Sequence, residues 1–364
     1  MPRRIHPVFV QAERLRKNKE KNLRKLRKLR KSKKKPIKKP VKKPVKKPVK
    51  TLVKKPVKKP VKKPVKKPVV SGGIPLGNTR ITQICVSPGI AGFEIPIRKK
   101  FGLSKYRSKR APCIFFGCYK PRDLNKILKH KHVKIIIWAG SDSNYKSRPY
   151  ARVALRRLKR EPNCYHIAIS KYIYNDLKAF KIKSKLIPFS FSDTNLFKPV
   201  KKGPLIYFYT SISVPDKYGC GVVKRLKTIL GKKYRFMITC NKSQFDFKKK
   251  APDVLKKYPF LKNAIHIPHS KINTIYSKCY VGLRLTKHDG NANSVQELGL
   301  CGIKCLYNGA PDQPNAIPWK NVWGIARAIR REVKLANTVN TDLSLKMREY
   351  LDTGTDWLHL NYYR

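Results

Sequence analysis

The chain has 364 residues, 87 of them Lys or Arg against 19 Asp or Glu, for a formal net charge of +68. That imbalance excludes an ordinary near-neutral globular protein and calls for polyanionic partners or a solvated basic segment. The charge is uneven: residues 1–73 hold 31 Lys or Arg against Glu13 and Glu20, and the remaining 291 residues still carry a net +39.

Residues 34–70 repeat Lys-Lys-Pro-Val or a near variant, interrupted at Thr51-Leu52. Proline at every fourth position fixes φ and removes a donor, so neither a helix nor a central strand persists. Dense like charge opposes collapse, which predicts a disordered, solvated rod leaning to polyproline II geometry, with a reach on the order of 115 Å. Leu23, Leu26 and Leu29 stand three apart among Arg and Lys; they fit either a short basic amphipathic helix on an anionic surface or a disordered charge block. Such a tail binds polyanions by counterion release, and the candidates are nucleic acid, acidic glycan or an anionic membrane surface. No aromatic residue lies between Val10 and Val70, so base stacking is not offered and sequence-specific nucleic-acid binding is not expected. A solubilising spacer with no dedicated partner is the plain alternative.

The longest apolar runs are strand-sized, and the apolar run near the N-terminus is too short for a secretory signal. Nine cysteines, without a Cys-x-x-Cys pair and scattered through apparent core strands, read as reduced buried thiols in a cytoplasmic setting.

Ser71-Gly72-Gly73 closes the tail. Strand-like runs then alternate with helix-length basic segments at 81–87, 112–117, 134–140, 165–170 and 185–189, which predicts a parallel sheet between helices. After Phe197-Lys-Pro199 a second series follows at 205–211, 235–240, 264–268, 280–286 and 303–308. The total is too long for one small doubly wound domain and suits two. The expected division is a tail over 1–73, a first α/β domain over 74–200, a second over 201–345 and a terminal segment over 346–364.

The most informative stretch runs from Ile275 to Asn308. An apolar strand (279–286) leads through a polar turn (287–293) into a helix from about Ser294, and a second strand follows Gly302. A strand, a Gly/Asn-rich turn and a helix start make up the half of an α/β unit that holds phosphates, because the helix start offers unpaired N–H groups and partial positive charge. Asp289 and Glu297 bracket this turn with seven residues between them, and Gly290 permits close backbone approach to a ligand. Ser294-x-x-Glu297 is also a capping box, in which Glu297 would only satisfy a backbone donor.

The order strand, Asp-Gly, Ser, Glu, Gly, strand resembles the donor half of retaining GT-B glycosyltransferases of the family 4 type. Asp289 and Glu297 match that family's acid-x7-acid motif, with Asp in place of the usual first Glu. The resemblance covers most of residues 80–364 and implies two Rossmann-like domains facing across a cleft. It implies that Glu297 binds the ribose, since a vicinal diol can give both hydroxyl protons to one carboxylate, and that Asp289 lies beside the transferred sugar. The backbone from Gly290 through Asn291 and Asn293 to Ser294 would meet the sugar and diphosphate, with His269 in the base-contacting loop.

The family pattern carries an Arg and then a Lys in the second domain's first loop. Here Lys217 is kept, but Ser211 stands at the Arg position; Arg284 is the candidate replacement cation, or else only the ion-pair partner of Asp289. Leaving-group charge must be offset in glycosyl transfer. With no Asp-x-Asp motif, no metal or other cofactor is expected beyond the nucleotide-sugar co-substrate. On the acceptor side, Ser87-Pro-Gly-Ile-Ala-Gly92 places Gly89 and Gly92 after the first strand, and Ser141-Asp142 follows the strand ending at Gly140. A tight β–α connection accounts for the glycines equally well. The expected protein is a cytoplasmic glycosyltransferase held by its basic tail at a polyanion or anionic membrane surface. The competing expectation is a non-catalytic, basic structural or nucleic-acid-associated protein of the same fold.

Overall fold

The structure is a computed structural model that describes residues 79–364 other than 189, 242–251, 287–288, 311 and 364; the basic tail and the first two residues of the turn 287–293 lie outside the described residues. Two all-parallel sheets organise the rest. The first contains β1 (Gln83–Val86), β2 (Ser104–Lys105), β3 (Cys113–Phe116), β4 (Lys134–Trp138), β5 (Cys164–Ala168) and β6 (Lys185–Leu186), in the order β2-β1-β3-β4-β5-β6. Its central strands β3 and β4 are apolar at all but one position because helices cover the sheet, and both are buried throughout. The one charge in them, Lys134, is held by Glu161 at 2.9 Å and the carbonyl of Pro162 at 3.2 Å, as a buried cation must be. Proline opens the helices Pro121–Leu128 and Pro149–Leu158, where its missing N–H is one the helix would leave unpaired anyway.

The second sheet contains β7 (Leu205–Thr210), β8 (Phe236–Cys240), β9 (Cys279–Arg284), β10 (Lys304–Tyr307) and β11 (Ala316–Ile317), in the order β11-β10-β9-β7-β8. Apolar side chains pack in separate clusters, one with Val223, Leu226 and Ile325 and another with Tyr276, Leu298 and Met347. Helix Asn293–Leu300 fits closely onto β9: a Cβ at Gly282 would lie 2.4 Å from the Leu298 side chain.

The chain end joins the two halves. Helix Thr341–Leu351 packs on Asn293–Leu300, with the Ser344 hydroxyl donating to the carbonyl of Leu300 at 2.6 Å. Trp357, Leu358, Leu360 and Tyr363 then enter the core of the first sheet, where Trp357 meets Phe101 edge to face at 5.0 Å. The N–H of Ile81 donates to Leu358 at 2.7 Å. Loss of an aromatic ring buried like Trp357 costs about 3–5 kcal/mol.

One expected strand is absent. Residues 264–268 make a single parallel bridge, Thr239 to Ile265. The peptide N–H of Ile265 and the N–H of Cys240 are the paired donors there. Pro268 has no N–H to continue a ladder, and the chain turns off to place His269. Two short edge strands, β2 and β11, are unannounced in the sequence.

Candidate active site

The two sheets turn their carboxyl ends toward one cavity of about 660 Å³, lined by residues that follow β1, β3 and β4 on one side and β7, β9 and the start of Asn293–Leu300 on the other. Ligands of open parallel sheets bind in this location. Among the residues singled out in the sequence, Asp289, Lys217, Arg284, Glu297, Asn291, Asn293, Ser294, His269, Gly89 and Ser141 line it.

Glu297 is buried on the helix, at 2 % exposure. Its Oε1 accepts the Ser192 hydroxyl at 2.8 Å and lies 2.6 Å from His269 Nε2, while Oε2 accepts the Tyr276 hydroxyl at 2.7 Å. The capping box is not formed: Ala292 is the N-cap, without a side-chain cap. Glu297 therefore faces the cavity with three side-chain partners. Its carboxylate raises the His269 pKa chiefly through their hydrogen bond, against the opposing effect of burial. Burial first, and then the Glu297 charge, push Tyr276 well above the usual phenol range. Asn293 donates weakly to Ser192 at 3.4 Å, and its Oδ1 is shielded with no partner among the described residues.

Asp289 closes the turn after β9. Its Oδ2 accepts from Arg284 Nε at 2.6 Å and from the Thr286 hydroxyl at 2.9 Å, and its Oδ1 accepts from the N–H of Gly290 at 3.0 Å. Burial alone would raise this carboxyl, but the Arg284 charge and these hydrogen bonds hold it below its ordinary range. Arg284 is packed against Tyr218 and Tyr209, whose ring centres lie 4.8 and 5.6 Å from its guanidinium carbon. Burial opposes its charge; Asp289 outweighs burial and raises the pKa. Lys217 sits exposed at the lip. Desolvation lowers its pKa first, with Arg284 and Arg148 adding repulsion and Asp289 opposing them.

Gly290 marks the approach of the two halves. A Cβ there would stand 2.7 Å from the carbonyl oxygen of Ala139, at the end of β4. Its own carbonyl accepts from the Tyr307 hydroxyl, and Asn291 is fixed by Gln313 at 2.7 Å.

Besides Gly290, three expected site residues stand off the cavity lining. Ser211 is buried in the turn after β7, where its carbonyl accepts from Val214. Gly92 is exposed, with open space where a Cβ would stand. Asp142 is buried behind the wall, accepting from the N–H groups of Cys118 at 3.2 Å, Ala139 at 3.2 Å and Gly140 at 2.9 Å. It ties two strand ends together, which leaves Ser141 to face the cavity. Sequence reasoning missed Arg148, Tyr119, Lys120, Tyr209, Tyr218 and Tyr276, all cavity-lining. Arg148 carried a usable signal, since it precedes the Pro149 helix start beyond a buried strand. Ser192 and Tyr276 carried none. Among the described residues no group of three His, Cys, Asp or Glu is arranged to hold a metal ion, and no helix is long and apolar enough to cross a membrane.

The sequence matches no protein-family model and no curated protein sequence. The folded chain is similar to several solved structures. A sucrose-phosphate synthase from Thermosynechococcus elongatus superposes with TM-score 0.53 at 13% identity, covering 73% of each chain. The Anabaena protein HepE, solved in complex with UDP-glucose, superposes with TM-score 0.54 at 11% identity, over 69% of this chain and 78% of its own. An α,α-trehalose 6-phosphate synthase from Burkholderia multivorans gives TM-score 0.51 at 8% identity, over 71% of each. With two parallel sheets meeting at a cavity built from their carboxyl ends, the chain has the GT-B fold of these glycosyltransferases.

Proposed function

We propose that this protein is a glycosyltransferase that moves a sugar from a nucleotide-sugar donor to a glycan, lipid or protein acceptor, with retention at the anomeric carbon. The observation that carries this reading is the convergence of Asp289, Glu297 and Lys217 on one cavity between the two sheets. HepE, of the same fold, was solved with UDP-glucose, which supports a uridine nucleotide.

In this reading the ribose hydroxyls donate to Glu297, and half-exposed His269 yields its bond as they arrive. The diphosphate lies over the start of Asn293–Leu300, where N–H groups and the helix dipole favour an anion. As the bond from the anomeric carbon to the diphosphate oxygen breaks, its electron pair stays with that oxygen, the acceptor hydroxyl oxygen forms the new bond to the anomeric carbon on the same face, and the hydroxyl proton passes to the departing diphosphate. Lys217 and Arg284 offset the developing charge without a metal. Asp289 sits beside the transferred sugar and keeps Arg284 in place.

One observation favours the second reading, a non-catalytic protein of this fold: the Arg284 charge is already matched by Asp289. Incubation of the full chain with UDP-glucose separates the two. Release of UDP that falls in Lys217→Ala supports the enzyme; nucleotide binding without any release under all acceptor conditions supports the second reading.

A further inference from the structure

A second hollow of about 890 Å³ adjoins the first and shares Ser141, Arg148 and Lys217 with it. Its walls come from the loop after β4, the turn and helix after β7, and the segment Trp319–Trp323 after β11. Arg148, Lys217, Arg225 and Lys320 line it, and the one carboxylate among the lining residues, Asp216, is engaged by Lys257 at 2.9 Å and by the Tyr258 hydroxyl. None of those four cations takes part in an ion pair among the described residues. A concave wall of one sign concentrates anions from solution.

Charge alone would accept any anion, and this chain has a surplus of charge everywhere. The hollow differs in its aromatics. Trp319 and Trp323 both line it, and Trp323 is 59% exposed. An indole offers a flat apolar face together with one N–H donor. A pyranose has the matching character, with C–H groups on its faces and hydroxyls round its rim. Ser141, Asn144 and Asn321 add neutral hydrogen-bonding groups on the same walls.

We propose that this hollow binds a saccharide bearing a phosphate or carboxylate group, and that this anionic saccharide is the acceptor. The acceptor role rests on the glycosyl-transfer reading, because Lys217 and Arg148 are the residues through which the hollow meets the donor cavity. The binding of an anionic saccharide does not depend on it.

Titration calorimetry of the full chain tests the proposal, with glucose 6-phosphate, glucuronic acid, glucose, inorganic phosphate and UDP as separate probes. Glucose 6-phosphate or glucuronic acid is expected to bind on the order of tenfold or more tightly than both glucose and inorganic phosphate. Whichever charged sugar binds better identifies the anionic group. Trp323→Ala and Lys320→Ala, both at exposed positions that leave the core intact, are each expected to weaken that binding about tenfold while UDP affinity is unchanged. Equal binding of glucose overturns the charge requirement, and equal binding of inorganic phosphate overturns the saccharide. Undiminished binding in both variants removes the site. If UDP fails to bind wild type while the charged sugar still discriminates, the donor reading falls and the saccharide site stands.

Discussion

Arg284 and Asp289 hold each other at 2.6 Å across the turn that ends β9, with the guanidinium set against the rings of Tyr218 and Tyr209. The pair is largely shielded, at 13% and 18% side-chain exposure. Each charge therefore depends on the other for its solvation.

Removing one member leaves the other uncompensated, which costs about 3–5 kcal/mol for a buried pair. Asp289→Asn is expected to lower the midpoint of denaturant unfolding and to abolish transfer. The same midpoint as wild type would show that solvent or another group already screens Arg284.

His269 brings pH into the site. Its imidazole is held above the ordinary value of about 6.5 chiefly by its hydrogen bond to Glu297, with burial opposing. A folded value above the unfolded one gives stability that is complete below about pH 6.5 and lost as pH rises through the folded value. The melting-temperature gap between wild type and His269→Gln should be widest below that point and shrink as pH rises through the raised folded value. Buried His166, pulled down to about 4 by desolvation, acts in the opposite sense and cancels in the difference. A gap that stays constant with pH would mean that His269 is never charged beside Glu297.

Gly290 is a steric claim. An added methyl would meet the Ala139 carbonyl oxygen at 2.7 Å, so Gly290→Ala must part the two loops. Overpacking of this kind costs about 1–3 kcal/mol, and transfer should fall further than stability because both cavity walls move. Full activity in that variant would show that the approach is not needed for turnover.

The tail separates attachment from chemistry. Removing residues 1–73 deletes a net +29 and none of the cavity lining. Turnover on a small acceptor should persist, while binding to anionic vesicles or DNA drops and the intact chain's binding weakens steeply with salt. The body's own +39 makes the loss graded. A folded but inactive truncation would make the tail part of the enzyme.

The GT-B fold was legible because its strands are buried on both faces and stand out as apolar runs between basic helices, as Lys134–Trp138 does. Residues 264–268 misled for the same reason: their apolar positions serve a single bridge rather than a strand. The two-residue edge strands β2 and β11 are too short to show a period. Within the site, the turn from Asp289 to Ser294 was readable because it is continuous in sequence. Ser192 and Tyr276 were not, because only the fold brings them 105 and 21 residues along the chain to Glu297. Asp142 and Ser141 show the limit of reading a polar pair at a strand end: neighbours in sequence, one turns inward to bond the backbone and the other faces the cavity.

If Glu297 holds the ribose of a nucleotide, titration of UDP into wild type and Glu297→Gln reads that contact out. A hydrogen bond to a charged group is worth about 1.5–3 kcal/mol. UDP is expected to bind wild type, with a dissociation constant about tenfold or more weaker in the variant and the fold retained by circular dichroism. An equal dissociation constant in both proteins, or no binding of UDP to wild type, would contradict it.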